Sequence, residues 1–170
     1  MLIIITGKIG SGKTTVCQKV ADQLQSSGRT VGGVLTIKNS PSEISVQNIV
    51  TGQTHPLANE TKDYNGPGTP RYSFSAIGIA FGNETISNAA HDAANVVIID
   101  ELGQLELKGE GFAPTLCLIT GGNIECCIAV IRDELLPTYL PLLPSNPRVF
   151  VVNNQNRNTL AAEICALLLG

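Results

Sequence analysis

The residues from Gly7 to Thr14 read Gly-Lys-Ile-Gly-Ser-Gly-Lys-Thr and match the pattern G-x-x-x-x-G-K-[ST] at every position. Its glycines let the chain turn tightly, so that several backbone N–H groups face inward and surround an anion. The helix expected after the loop adds its free N–H groups and the positive end of its dipole. The pattern therefore predicts a loop that binds phosphate groups, and it indicates chemistry on a polyphosphate.

The side chains of this loop have predicted roles of their own. Lys13 is expected to reach the β- and γ-phosphates of a triphosphate and to assist catalysis, and the Thr14 hydroxyl is expected to coordinate Mg²⁺. Ser11 and Thr15 can donate further hydrogen bonds to phosphate oxygens. The alternative is a glycine-rich turn that only joins a strand to a helix. The predicted nucleotide-binding residues are Gly7, Lys8, Ile9, Gly10, Ser11, Gly12, Lys13, Thr14 and Thr15.

A second group of reactive residues follows the apolar run from Val96 to Ile99, where Asp100 and Glu101 stand side by side. Four β-branched apolar residues in succession predict a strand that is buried on both faces of a parallel sheet. Ligands bind in such sheets beyond the carboxyl ends of the strands. Asp100 is therefore predicted to hold Mg²⁺, and Glu101 to orient and deprotonate an attacking water. An acidic turn after a strand is the simpler alternative.

The elements that must position these residues can also be predicted. Residues 1–6 form a short apolar run before the loop, and Val16, Val20 and Leu24 share one helical face after it. Strand and helix patterns alternate along the whole chain, which predicts one α/β domain over residues 1–170 with a mostly parallel sheet flanked by helices. Further strands are expected at 30–37, 44–50 (a hairpin), 71–79, 124–131 and 149–152, a polar loop at 59–70, and helices at 84–94, 112–120, 133–143 and 159–169.

Composition restricts the class of protein. Hydrophobic residues make up 43% of the chain and charged residues 15%, which favours a packed globular protein over a disordered one. The net charge is −3 and aromatic residues are 4%, so nucleic-acid binding has little support. The apolar run at the start is too short to cross a membrane, and no basic segment precedes it. A cytoplasmic protein is therefore expected.

Cysteine and histidine give no sign of a metal site. The five cysteines form no C-x-x-C pair, so buried free thiols in a reducing compartment are expected, and a zinc site is disfavoured. His55, expected in a turn beside Pro56, and His91, expected on a helix, have no partners at ligand spacing. Both are interpreted as structural or solvated.

The chain resembles the thermophile-type nucleoside-triphosphatase family, known in animals as cancer-related nucleoside-triphosphatase. The block from Asp100 to Leu107, Asp-Glu-Leu-Gly-Gln-Leu-Glu-Leu, is similar to that family's Asp-Glu-(Ile/Leu)-Gly-x-(Met/Leu)-Glu-Leu. Residues 33–36, Gly-Val-Leu-Thr, resemble its Gly-Phe-Tyr-Thr segment, and residues 156–160 resemble its late Asn-Arg-x-x-Leu segment. These landmarks occur in the family's order and span nearly the whole chain.

The resemblance implies a RecA-like sheet and slow, Mg²⁺-dependent hydrolysis of several nucleoside triphosphates to diphosphate and phosphate. Two positions depart from the family's pattern. Acidic residues and an arginine often follow its threonine, whereas residues 37–40 here read Ile-Lys-Asn-Ser, and Gln104 stands where a lysine is often found. Both departures concern substrate preference and turnover.

Three charged residues keep open roles. Glu106 either supports the site, as the resemblance implies, or is a solvated or locally paired acid. Arg132 follows a predicted buried strand and could stabilise transition-state charge, but an ion pair with Asp133 or Glu134 is favoured. Arg157 could contact the nucleotide or be exposed on the surface.

Two other functions use the same phosphate loop. A small nucleotide or metabolite kinase usually needs a lid with several arginines, and the five arginines here are scattered at 29, 71, 132, 148 and 157. A nucleotide-binding switch or accessory protein that hydrolyses little is the third possibility. A guanine-specific switch usually carries Asn-Lys-x-Asp, whereas residues 153–156 read Asn-Asn-Gln-Asn.

Overall fold

A computed structural model describes all 170 residues as one α/β domain. The strands are β1 (Leu2–Thr6), β2 (Val31–Ser40), β3 (Glu43–Asn48), β4 (Thr54–Asn59), β5 (Ser73–Phe74), β6 (Val96–Leu102), β7 (Cys127–Ile131) and β8 (Arg148–Val151). The helices are α1 (Lys13–Ser26), α2 (Ala76–His91), α3 (Pro114–Thr120), α4 (Leu136–Tyr139) and α5 (Leu160–Leu169), with short 3₁₀ turns at Glu106–Lys108 and Leu140–Leu142.

All eight strands form one sheet in the order β5-β4-β3-β2-β6-β7-β1-β8. The five strands from β2 to β8 in that order are parallel, and β3, β4 and β5 extend the sheet in antiparallel fashion. The prediction of a mostly parallel sheet is confirmed. The phosphate loop follows β1, and β7 lies between β1 and the strand that carries Asp100.

Each face of the sheet has its own hydrophobic core. Alternate residues of the central strands point to opposite faces, so Ile3 and Ile98 pack on one side and Ile4 and Ile99 on the other. Helices α1 and α5 cover the first side, and α2 with α3 covers the second. The central strands are buried on both faces, which explains why β1 and β6 are continuous apolar runs.

The segment from 71 to 79 was predicted to be extended, and this is wrong for most of its length. Only Ser73–Phe74 is a strand, and α2 begins at Ala76, eight residues before the predicted helix. The Ser75 hydroxyl accepts a hydrogen bond from the Gly78 N–H at 3.1 Å and so caps the helix. Glycines 78 and 82 weaken the local helix signal, but they allow close packing against β4 and the Phe112 ring.

Other boundaries differ from the predictions for similar reasons. The predicted helix at 112–120 starts only at Pro114, and prolines limit the predicted helix at 133–143 to four residues followed by a 3₁₀ turn. Strand β8 lies at the sheet edge, so Val149 and Val151 are exposed rather than part of the core.

His55 lies on β4 and not in a turn; its ring centroid is 4.3 Å from that of Phe81. Four of the five free thiols are buried as expected, but that of Cys117 is exposed.

None of the helices is both long and apolar enough to cross a bilayer.

Gly33, near the start of β2, allows the backbones of β2 and β6 to approach closely at Ile98. Its φ angle is +100°, and a Cβ atom there would overlap the backbone of Ile98, including the carbonyl oxygen. We expect Gly33→Ala to lower the free energy of unfolding by about 2–5 kcal/mol, since left-handed strain and overpacking add together. Urea unfolding followed by circular dichroism measures this loss.

Gly52→Ala is the matched control, because Gly52 also has a positive φ, +72°, but nothing lies near its added methyl group. It should cost only the backbone strain of about 1–2 kcal/mol. Equal losses in the two variants would contradict the packing argument.

Candidate functional site

The phosphate loop connects the carboxyl end of β1 to the first turn of α1. Gly7, Gly10 and Gly12 have φ angles of +143°, +78° and +101°, so the turn uses backbone conformations that other residues rarely adopt. Gly7 is also confined by its surroundings, because a Cβ atom there would meet the carbonyl oxygen of Val152 and the Ser11 hydroxyl. The loop geometry thus depends on glycine both for conformation and for close approach.

The loop presents a set of unused hydrogen-bond donors. The N–H groups of Gly10, Gly12 and the first three residues of α1 donate to no acceptor within the chain. The Ser11 hydroxyl is buried and also has no partner. Donors that converge in this way at a helix N-terminus bind anions such as phosphate.

Lys13 is buried, and only 6% of its surface is exposed. Its Nζ atom donates to the carbonyl oxygens of Gly7 at 2.8 Å and Lys8 at 2.9 Å, so the ammonium is held across the loop. No carboxylate forms an ion pair with Lys13. Its hydrogen bonds go only to carbonyl groups, so the ammonium remains available to attract a polyanion.

Asp100 lies at the carboxyl end of β6 and is 1% exposed. Its Oδ2 atom accepts from the Thr36 N–H at 3.3 Å, whereas Oδ1 is buried without a partner. Burial, and then the nearby charge of Glu101, raise the pKa of Asp100 to about 7, although Thr14, the Thr36 N–H and Lys13 act in the opposite direction.

An unpartnered carboxylate oxygen beside a threonine hydroxyl fits a hard divalent cation such as Mg²⁺, which prefers oxygen ligands. The Thr14 hydroxyl is close enough to lower the pKa of the Asp100 carboxyl group. The structure contains no cluster of three or more His, Cys, Asp or Glu side chains that could hold a metal ion. Any ion bound here would keep most of its ligands from phosphate and water.

Glu101 follows Asp100 and forms an ion pair across the sheet with Arg132 on the segment after β7. The distance from Arg132 Nε to Glu101 Oε1 is 2.7 Å, and both side chains are partly exposed. The favoured prediction for Arg132, an ion pair with Asp133 or Glu134, is therefore wrong. Sequence reasoning missed this pair because its members are 31 residues apart and meet only through the pairing of β6 with β7.

Glu106 is neither solvated nor paired with a basic side chain. Its two carboxylate oxygens accept from the N–H groups of Gly103 at 2.6 Å and Phe112 at 2.8 Å, and the side chain is buried. Burial raises its pKa above the usual value, although these hydrogen bonds oppose the shift. Glu106 therefore fixes the loop that follows β6.

Arg157 is exposed and lies against the phosphate loop. A Cβ atom on Gly12 would be 3.6 Å from Arg157 Cδ, so the arginine stem passes beside the start of α1. Its predicted surface exposure is therefore confirmed, and its contact with a bound nucleotide stays a prediction.

A cavity of about 620 Å³ is lined in part by Lys13, Thr14, Glu101, Glu106 and Arg132. It extends from the phosphate loop past Glu101 and Arg132 to residues of β2, β3 and β4, and to α2. Sequence reasoning did not identify its distant wall, which includes Lys38, Ile44, Leu57, Tyr72 and Phe112. These residues are far apart in the chain, and the folding of β2, β3, β4 and the loop before α3 around one space brings them together.

The chain matches the sequence model of the family described as NTPase over residues 2–165. Among similar proteins, the nucleoside-triphosphatase THEP1 of Pyrococcus abyssi is 31% identical over 172 residues, covering 96% of this chain and 90% of the relative. The protein of the same name from Methanocaldococcus jannaschii is 37% identical over 187 residues, covering 99% and 98%.

Two solved structures share the fold. The crystal structure of THEP1 from the hyperthermophile Aquifex aeolicus has a TM-score of 0.80 at 22% identity and covers 99% of both chains. The solution structure of a human cancer-related nucleoside triphosphatase has a TM-score of 0.73 at 21% identity, covering 98% of this chain and 96% of that one.

The contacts of Glu106 predict a cost in stability when one of its acceptors is lost. In Glu106→Gln the amide nitrogen faces one of the two N–H groups, so a buried donor loses its partner. We expect the free energy of unfolding to fall by about 1–3 kcal/mol, measured by urea denaturation. Glu110→Gln is the matched control, because Glu110 is exposed in the same loop and its side chain forms no ion pair. If both variants are equally stable, the bonds to Gly103 and Phe112 contribute little.

Proposed function

The chain belongs to the NTPase family, and from that membership we propose how its own residues divide the hydrolysis of nucleoside triphosphates to diphosphate and phosphate. The proposal rests on the arrangement of charged and hydrogen-bonding groups around the loop. Converging free N–H groups and the buried Lys13 ammonium adjoin a buried aspartate with an unpartnered oxygen. Such an arrangement suits a polyphosphate accompanied by a divalent cation.

The loop residues 7–15 bind the phosphate chain in this proposal. The free N–H groups of the loop donate to the nonbridging oxygens, and the Ser11 hydroxyl supplies one further donor. Lys13 exchanges its bonds to the carbonyl groups of Gly7 and Lys8 for bonds to the β- and γ-phosphates. Its charge is then most useful as negative charge accumulates on the diphosphate leaving group.

Thr14 and Asp100 would hold a divalent cation, and Mg²⁺ is our choice because both supply hard oxygen ligands. When bound, the cation neutralises charge on the β- and γ-phosphate oxygens. The chain's own contribution is the buried Oδ1 of Asp100, which has no other partner. The Thr36 N–H keeps the carboxylate oriented through Oδ2.

Glu101 positions and deprotonates the attacking water. Its Oε1 atom accepts from Arg132, which leaves Oε2 available for a water hydrogen. Arg132 thus orients the base, and its remaining guanidinium N–H groups can face the phosphoryl group as charge develops. Removing a general base of this kind typically costs about 10²–10⁴-fold in rate.

The cell location and binding partners are also proposals. Four buried free thiols suit a reducing compartment, so we place the protein in the cytoplasm. The net charge of −3 and the low aromatic content favour nucleoside triphosphates over nucleic acids as ligands.

The two adjacent acids should respond differently to substitution. We expect Glu101→Gln to bind a non-hydrolysable triphosphate analogue with near-normal affinity and to turn over about a hundredfold more slowly or worse, because it lacks only the base. Asp100→Asn should instead weaken binding of the analogue in the presence of Mg²⁺. Calorimetric titration and single-turnover phosphate release measure the two effects.

Glu134→Gln is the control for the two substitutions at positions 100 and 101, because Glu134 is exposed and forms no ion pair with Arg132. It should behave like the wild type in both measurements. If Glu101→Gln hydrolyses at the wild-type rate, another group holds the water, and Glu106 is the next candidate.

Hydrolysis should require a divalent cation that prefers oxygen ligands. We expect excess EDTA to abolish phosphate release, Mg²⁺ or Mn²⁺ to restore it, and Zn²⁺ to be a poor substitute, because the site offers no His or Cys ligands. Phosphate release assayed across a series of metal ions tests this. Full turnover in EDTA would remove Thr14 and Asp100 from their assigned role.

A further inference from the structure

The cavity of about 620 Å³ must hold the nucleoside triphosphate and the attacking water, and it extends from the phosphate loop to β3, β4 and α2. Its volume lies within the range of about 300–1,000 Å³ that is typical of small-molecule sites. Which ligand fills the part beyond the phosphates depends on where that part lies relative to the reacting groups.

The strand order places this space beyond the acidic residues. The phosphate loop follows β1, Glu101 is on β6, and β2, β3 and β4 come next in the sheet. At about 4.8 Å per strand, β3 and β4 lie on the order of 10 to 15 Å past β6. Glu101 and Arg132 therefore stand between the phosphate loop and the distant part of the cavity.

The lining of this distant part includes Lys38, Thr69, Arg71 and Tyr72, together with five apolar or aromatic side chains. These five belong to β3, β4, β5, α2 and the loop before α3, and they are Ile44, Leu57, Phe74, Ile79 and Phe112. Apolar walls offer no hydrogen bonds to water, so such a space is poorly suited to holding a reactive water. It is well suited to the body of an organic molecule.

The direction of phosphoryl transfer indicates which reactant this space can accommodate. The attacking and leaving oxygens lie roughly in line on opposite sides of the γ-phosphorus. Because Glu101 is the base, the attacking group enters from the side of Glu101, and the diphosphate leaves on the opposite side. The apolar part of the cavity is therefore on the side of the nucleophile and not on the side of the departing nucleotide.

The charges around the cavity limit what can bind there. Arg132 is paired with Glu101, and Arg71 is paired with Glu60 at 2.7 Å. Lys38 lines the cavity and makes no ion pair or hydrogen bond. Lys13, the other unpaired cation of the cavity, is assigned to the phosphates, so Lys38 alone is left to support one carbonyl or anionic group on the ligand, which disfavours an acceptor as highly charged as a nucleotide.

We propose that this part of the cavity binds a phosphoryl acceptor, a hydroxyl compound with a planar apolar body and at most one negative charge. The proposal depends on the roles assigned to Glu101 and the phosphate loop. In the transfer, the acceptor oxygen forms a bond to the γ-phosphorus, and the bond to the β,γ-bridging oxygen breaks with its electron pair retained by the diphosphate. The hydroxyl proton passes to Glu101. Hydrolysis is the reaction that remains when no acceptor is bound.

The test offers the wild-type protein a defined set of acceptors with labelled ATP and Mg²⁺. The probes are the four ribonucleosides, phenylmethanol and 3-pyridylmethanol, each at millimolar concentration. Mass spectrometry measures the phosphorylated alcohol, and a parallel assay measures free phosphate. We expect at least one probe to receive label and to reduce phosphate release by more than twofold. Release of all label as free phosphate with every probe would overturn the proposal.

Two substitutions test whether the phosphorylated acceptor forms in the apolar part of the cavity. Ile44→Phe and Ile79→Phe change half-buried side chains and fill the apolar part, so each should lower the ratio of phosphorylated acceptor to free phosphate tenfold or more. Val50→Phe adds the same ring at an exposed turn outside the cavity and should keep the wild-type ratio. Equal ratios in all three variants would show that any transfer occurs elsewhere.

The two proposals can fail separately in this experiment. If phosphate release without acceptor is normal and depends on Glu101, but no probe receives label, only the acceptor site is refuted. If Glu101→Gln releases phosphate at the wild-type rate, the catalytic assignment fails, and the acceptor site fails with it.

Discussion

Three buried ionisable side chains at the carboxyl edge of the parallel sheet have backbone groups as their hydrogen-bond partners and form no direct ion pair. Lys13 is held by two carbonyl oxygens, Asp100 by one N–H group and Glu106 by two N–H groups. A buried charge needs such partners, because desolvation otherwise makes it too costly. Backbone dipoles orient these side chains without cancelling their charge, so Lys13 and Asp100 remain able to attract ligands.

The parallel and antiparallel halves of the sheet contribute different parts of the site. The parallel half brings the loop after β1 and the acids on β6 to one edge, where β7 separates them by a single strand. The antiparallel half contributes no charged group with a catalytic role, but it supplies the wall that bounds the cavity. The central strands must be packed tightly for this edge to stay fixed, and the close approach of β2 to β6 at Gly33 reflects that requirement.

The sequence predicted those features that depend on residues close together in the chain. The phosphate loop is a run of eight residues, and β6, which contains both acids, is a run of seven, so local spacing was enough to predict both. The Ser75 cap was missed because the two glycines that follow hide the helical signal. The partner of Arg132 was missed because strand pairing, and not chain distance, brings Glu101 to it. The apolar wall of the cavity depends on five separate elements and has no local signature.

The contact between Gly82 on α2 and the ring of Phe112 extends the site to a helix that carries none of the proposed catalytic residues. The N–H group of Phe112 is one of the two donors that hold Glu106. Any side chain at position 82 must displace the ring, and the displacement reaches the loop after β6 through that hydrogen bond. The shape of the site therefore restricts which residues α2 can carry at position 82. Substitutions there should change the loop after β6 without touching any proposed catalytic residue.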